Sequence, residues 1–244
     1  MWDIKKVKAR GRAAFKANYL PCVIVALLLS LLVRGGVGVS VRNARSQATP
    51  TDEVPLELQS AVTDLNNAIE ALPEDAKATL AVAVLGGLFF FLIVGILLKI
   101  FVWNPLEVGC HRFFTKNVES GPAPMGLIGE GFGSFGHVFA TLFLRDLIIA
   151  LCCMLLIVPG IIKAYSYRFV PYIIRDEPNL TASEVLSHSK EMMRGNKWRA
   201  FVLDLSFLGW ALLGLVTLGI VDIFWTSPYF QSTDAALYLE LRGR

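Results

Sequence analysis

Residues 80–98 form a run of nineteen positions without a charged or strongly polar side chain. At about 1.5 Å per helical residue the run is roughly 28 Å long, close to the hydrocarbon thickness of a bilayer. The pattern predicts a transmembrane helix. Similar apolar stretches recur at 19–33, 138–159 and 200–225, so the expected architecture is a polytopic, all-α membrane bundle.

Two of these stretches are too long for one crossing. Pro159 and Gly160 divide the segment 138–175, because one removes a helical hydrogen bond and the other accepts positive φ. A hairpin is expected there, with one helix rising from His137 and the next descending to Ile174. The same logic divides 200–239 near 219–222. Six transmembrane helices result, with a four-crossing version, in which one half of each hairpin is re-entrant, as the alternative.

Polar segments supply the rest of the plan for one membrane domain over 1–244. Residues 1–18 combine Ile4, Val7, Ala14 and Phe15 with many Lys and Arg, a basic amphipathic helix suited to anionic headgroups on the cytoplasmic side. Segment 176–198 contains a second amphipathic helix, opened by the capping box Thr181-Ala182-Ser183-Glu184. The connection 42–77 is acidic, and Leu58, Val62, Leu65, Ile69 and Leu72 recur at helical spacing between Pro55 and Pro73. That points to an external helix over 55–72, lying on the protein's own surface or docking a protein partner. The Lys and Arg flanks put both termini of this multi-pass membrane protein in the cytoplasm. Asn18 followed by Tyr19 and Asn196 followed by Lys197-Trp198 echo each other, a hint of a duplicated unit of interfacial helix plus membrane hairpin.

Composition agrees with this picture: 55% of the 244 residues are hydrophobic and 18% charged, with a mean hydropathy of +0.56. A net charge of +3 concentrated at helix ends gives nucleic-acid binding no support. Cys22, Cys110, Cys152 and Cys153 show neither metal-ligand nor disulfide spacing and read as small buried hydrophobes. The run 131–136 matches G-x-G-x-x-G, but no buried strand precedes it, so a flexible cytoplasmic connector is expected. His111, His137 and His188 are scattered, and no metal set, cofactor motif or catalytic triad is expected.

Charge inside the apolar stretches is the remaining signal, because ionisable groups are costly in a bilayer and pair with one another. Arg145, Asp146, Lys163, Arg168, Asp204, Asp222 and Asp234, with Lys99, make four positive and four negative groups. Arg145 is expected to pair with Asp204 or Asp234, and Asp146 with Arg168. Ser227, Gln231, Asp234 and Tyr238 form a polar stripe on the last helix. The cluster Arg145, Asp146, Arg168, Asp204, Gln231, Asp234 and Tyr238 is either a set of interhelical staples or a polar cavity binding an ion, headgroup or small solute.

The run 159–167 (PGIIKAYSY), then Pro171-Tyr172-Ile173, 189–198, and 205–210 (LSFLGW) resemble a family of bacterial integral membrane proteins known only as domain of unknown function 975. Arg145-Asp146-Leu147 and Pro228-Tyr229 fit the same resemblance. More distantly, the Pro-Gly hairpin and Gly-x-x-Trp element are similar to the membrane domain of some glycerophosphodiester phosphodiesterases. The resemblance implies an all-helical membrane protein with no established activity; the phosphodiesterase chemistry belongs to a separate barrel and does not transfer. The expected function is non-enzymatic: binding of lipid or a small solute, or assistance to a membrane partner, through the charged cluster. A small secondary transporter using the same cluster is the alternative.

Overall fold

The computed structural model describes residues 2–34, 63–64, 66–68 and 70–243, and every regular element among them is helical. The chain divides into two compact units, Arg34–Lys99 and the remainder, Met1–Val33 with Ile100–Arg244.

In the larger unit, α1 (Ile4–Ala17) opens on Asp3, whose side chain accepts from the Lys5 amide, and buries Val7, Gly11 and Phe15 while its Lys and Arg side chains other than Lys8 are exposed. The apolar α2 (Tyr19–Arg34) leaves α1 at 108°. Asn117, 2% exposed, braces this bend: it donates to the Ala14 carbonyl and accepts from Asn18 Nδ2 and the Ala123 amide.

The smaller unit holds α3 (Glu74–Leu98), which starts after Pro73 and is apolar on all sides. Leu85, Phe89, Phe90 and Phe91 are each more than 60% exposed, as a helix facing lipid rather than a protein core would be. Before it, residues 63–64, 66–68 and 70 are helical, within the stretch whose apolar spacing predicts a helix. Leu58, Val62, Leu65 and Ile69 lie outside the described residues.

The larger unit continues with α4 (Asn104–Ser120), a 3-10 segment (Met125–Ser134), α5 (Phe135–Leu155), α6 (Ile157–Ser166), α7 (Val170–Asp176), α8 (Ala182–Met192), α9 (Lys197–Leu205), α10 (Leu208–Val216), a π-helical turn (Asp222–Thr226) and α11 (Ser227–Arg242). The capping box at Thr181 forms as expected, since Glu184 accepts from the Thr181 amide at 2.7 Å. Asn18 and Asn196 both sit where an amphipathic helix hands over to the next helix, which matches the sequence echo.

The first hairpin turns at a different place from the one expected. Leu156, in extended conformation, is its only residue between α5 and α6, and Pro159 lies within the first turn of α6, where a missing amide costs nothing. Gly160 serves close packing, because a Cβ there would overlap Cys153 Sγ across the hairpin. The descending arm breaks at Tyr167–Phe169, and Pro171 helps start α7. The second turn falls at 217–219, with positive φ at Leu218 (52°) and Gly219 (88°), close to the expected position.

Three described helical runs, Asp75–Ser120, Met125–Leu155 and Lys197–Val216, are long and apolar enough to cross a membrane. The bent pair α1 and α2 makes a fourth if counted as one. The other two arms of the six-helix expectation are interrupted: 157–176 by its break, and 222–242 by its π-helical start. Most of α11 from Ser232 to Leu239 is buried in protein despite its polar residues.

The glycine-rich run is not the flexible connector expected. It lies in the 3-10 segment and packs its backbone on α4: a Cβ at Gly131 would overlap the Pro105 carbonyl, and one at Gly109 the Ile128 carbonyl. Close helix-to-backbone approach, which only glycine permits, accounts for Gly131, whereas Gly136 has open space around it.

Candidate functional site

The break between α6 and α7 sets the site. Because the helix stops at Tyr167, Arg168 projects between α9 and α11, where two carboxylates await it. Its Nη1 and Nη2 donate to both oxygens of Asp204 at 2.7 and 2.9 Å, a bidentate pair, and its Nε donates to Asp234 at 2.6 Å. Tyr165 donates to Asp204 at 2.8 Å and Tyr172 to Asp234 at 3.0 Å. Asp204 ends one helix just before a second break at Ser206–Phe207.

On α5, Arg145 donates through Nη1 to Glu107 Oε1 at 2.9 Å and through Nε to its neighbour Asp146 at 2.9 Å. This revises the expected pairing. Both carboxylates assigned to Arg145, Asp204 and Asp234, go to Arg168, and Arg145 takes Glu107 of α4 instead. Helical spacing places Arg145 and Asp146 on different faces, but an arginine side chain is long enough to reach a neighbouring carboxylate around the helix.

These groups surround one cavity of about 390 Å³. Arg145, Asp146, Arg168, Asp204, Gln231 and Asp234, six of the seven residues singled out from sequence, line it. The seventh, Tyr238, does not: it stacks on Tyr172 with ring centres 5.0 Å apart and donates to Asp176 at 2.7 Å. There it joins a separate network in which Asp176 also meets Arg112 and Arg242, tying α4, α7 and α11 together.

The lining contains residues that sequence reasoning left out. Glu107 and His111 stand one turn apart on α4, and Tyr165, Tyr167 and Phe230 contribute rings. His111 packs on Tyr172 at 4.5 Å between ring centres, and its buried Nδ1 has no hydrogen-bond partner among the described residues. Lys163, counted in the balanced set, turns to the Tyr167 ring at 5.7 Å and is not among the lining residues. With Glu107 added, and Lys163, Lys99 and Asp222 all absent from the lining, the cavity carries four carboxylates against two guanidiniums. The charge neutrality expected from sequence does not hold here.

Among the described residues no group of three or more His, Cys, Asp or Glu is arranged to hold a metal ion. The lining offers carboxylate acceptors, guanidinium donors and aromatic faces.

Residues 62–244 match the family described as "Protein of unknown function (DUF975)", three quarters of the chain, and the protein belongs to that family. Every cavity-lining residue lies within the match. No curated protein and no solved structure matches the chain.

Proposed function

We propose that this DUF975 protein is a multi-pass bacterial cell-membrane protein that binds a small, positively charged solute in the Arg145–Arg168 cavity without transforming it. The observation that carries this reading is the make-up of the lining, in which the carboxylates of Glu107, Asp146, Asp204 and Asp234 stand beside the guanidiniums of Arg145 and Arg168. A cation entering the cavity restores neutrality, and the rings of Tyr165, Tyr167 and Phe230 offer π faces to a quaternary or primary ammonium. Paired staples alone would need no excess of one sign.

Exposed apolar side chains at the hairpin tips, such as Met154 (86%), Val216 (80%) and Leu218 (90%), favour a lipid surrounding. Counting 157–176 and 222–242 each as one interrupted crossing gives six passes, with both basic termini in the cytoplasm. Interruptions of this kind are tolerated in a bilayer where they line a cavity. The break at Tyr167–Phe169 does so through Tyr167 and Arg168, and the break at Ser206–Phe207 follows two residues after the lining residue Asp204. The same breaks favour a second reading, a small secondary transporter, since discontinuous helices commonly carry transport sites.

Calorimetric titration of the purified protein in nanodiscs with tetramethylammonium, putrescine and acetate tests the binding reading. A cation should bind and acetate should not, and Glu107→Gln should weaken the cation about tenfold or more through loss of one nearby charge. Binding of acetate, or of none of the three, would defeat it. Uptake of the bound cation by proteoliposomes would decide for transport.

A further inference from the structure

On α1, Lys5, Lys8, Arg12 and Lys16 follow one another at steps of three, four and four, which aligns them along one face of the helix. They wall a groove of about 650 Å³ closed on the other side by Tyr229 of α11, and no acidic residue lines it. Lys8 is anchored at the inner wall, donating to Ser206 Oγ at 3.0 Å with its ammonium 4.4 Å from the centre of the Phe207 ring. Lys5, Arg12 and Lys16 remain exposed. The groove is thus a preformed concentration of positive charge.

The adjoining chain says which anion fits. One turn beyond Lys16, past the 108° bend, α2 presents Tyr19, Leu20 and Ile24 at 40%, 67% and 39% exposure. Helix α1 therefore lies across the direction of an apolar helix, with its basic face next to exposed apolar surface. A free phosphate would use only the basic half of this surface. A phospholipid uses both, with its phosphate among the cations and its acyl chains along α2.

We propose that the groove formed by Lys5, Lys8, Arg12, Lys16 and Tyr229 holds the phosphate headgroup of an anionic phospholipid. This inference rests on the membrane placement given above but not on what the Arg145–Arg168 cavity binds.

The test places the full chain in nanodiscs of equimolar phosphatidylglycerol and phosphatidylcholine and counts by native mass spectrometry the lipids that leave with the protein. Wild type should retain phosphatidylglycerol preferentially. Arg12→Gln with Lys16→Gln should cut that preference about fivefold per cation removed. Lys6→Gln with Arg10→Gln removes the same charge from the same helix outside the groove and should leave the preference unchanged. All of these residues are exposed, and a thermal melt of each variant checks that it remains folded. Equal loss in both double variants means diffuse attraction and overturns the proposal, as does an absence of preference in wild type. Tight binding of inorganic phosphate to the protein in detergent, with no phosphatidylglycerol preference in nanodiscs, identifies a free phosphate as the ligand and also overturns it. A chain that never enters nanodiscs sinks both this inference and the membrane reading, whereas entry without preference sinks this one alone.

Discussion

Replacing Arg168 with glutamine removes the guanidinium that holds Asp204 and Asp234, and the structure indicates how the cost divides between them. The Asp234 carboxylate is 8% exposed and the Asp204 carboxylate 25%, so water can rehydrate Asp204 in part but reaches Asp234 poorly. Breaking a buried pair by deleting one partner typically costs about 3–5 kcal/mol, chiefly because the remaining charge stays buried and unpaired. Arg168→Gln should fall in that range. Adding Asp234→Asn removes the worse of the two stranded charges and should return about 1–3 kcal/mol of the loss. Adding Asp204→Asn, whose charge water already relieves, should return less. The assay is a double-mutant cycle read by denaturant unfolding in micelles, with retention of helical signal as the check on folding. Additive losses in both cycles, or a larger recovery from Asp204→Asn, would refute the reasoning.

Three further outcomes follow from local geometry. Gly131→Ala should destabilise the chain severely because its methyl group meets the Pro105 carbonyl; Gly136→Ala, with open space around it, should be neutral or stabilise by about 0.5–1 kcal/mol, and thermal melts of the pair would test this. Asn117→Ala should cost about 2–4 kcal/mol by stranding the Ala14 carbonyl and the Asn18 and Ala123 donors, and unfolding titration would show whether it does. The Thr181 amide and hydroxyl hold Glu184 below its ordinary pKa of 4.5. A lowered folded-state pKa means the cap stabilises α8 fully above that ordinary value and fades as pH falls through the lowered one. Hydrogen exchange of 182–192 should therefore speed up below about pH 4.5 relative to the rest of the chain in wild type, but not in Glu184→Ala.

The charged cavity was legible in sequence because ionisable residues inside apolar runs stand out, and five such residues do converge, with Gln231 beside them. Their partners were not legible, since helical spacing says which side chains share a face but not which helix faces them. Glu107 escaped notice because it lies past the end of the apolar run 80–98, where a carboxylate reads as an interfacial flank. Tyr238 was misassigned for a related reason. It continues the stripe of Gln231 and Asp234, but seven residues advance a helix by about 10 Å, enough to exchange one set of neighbours for another. At Pro159-Gly160 two strong turn signals belonged to helix entry and close packing, and the turn itself fell on Leu156, which carries no local signature.

The α1–α11 contact also bears on how the chain is made. Gly11 lies against Thr233, where an added Cβ would sit 2.6 Å from the Thr233 Cα, and Trp2 bonds Asn196 across 194 positions of sequence. Helix α1 is synthesised well before the helix that seats it. Until α11 has been made, the buried face of α1 and that of α4 lack the surface that closes them. A chain cut short before Ser227 would leave both faces uncovered, and their buried side chains open to proteolysis.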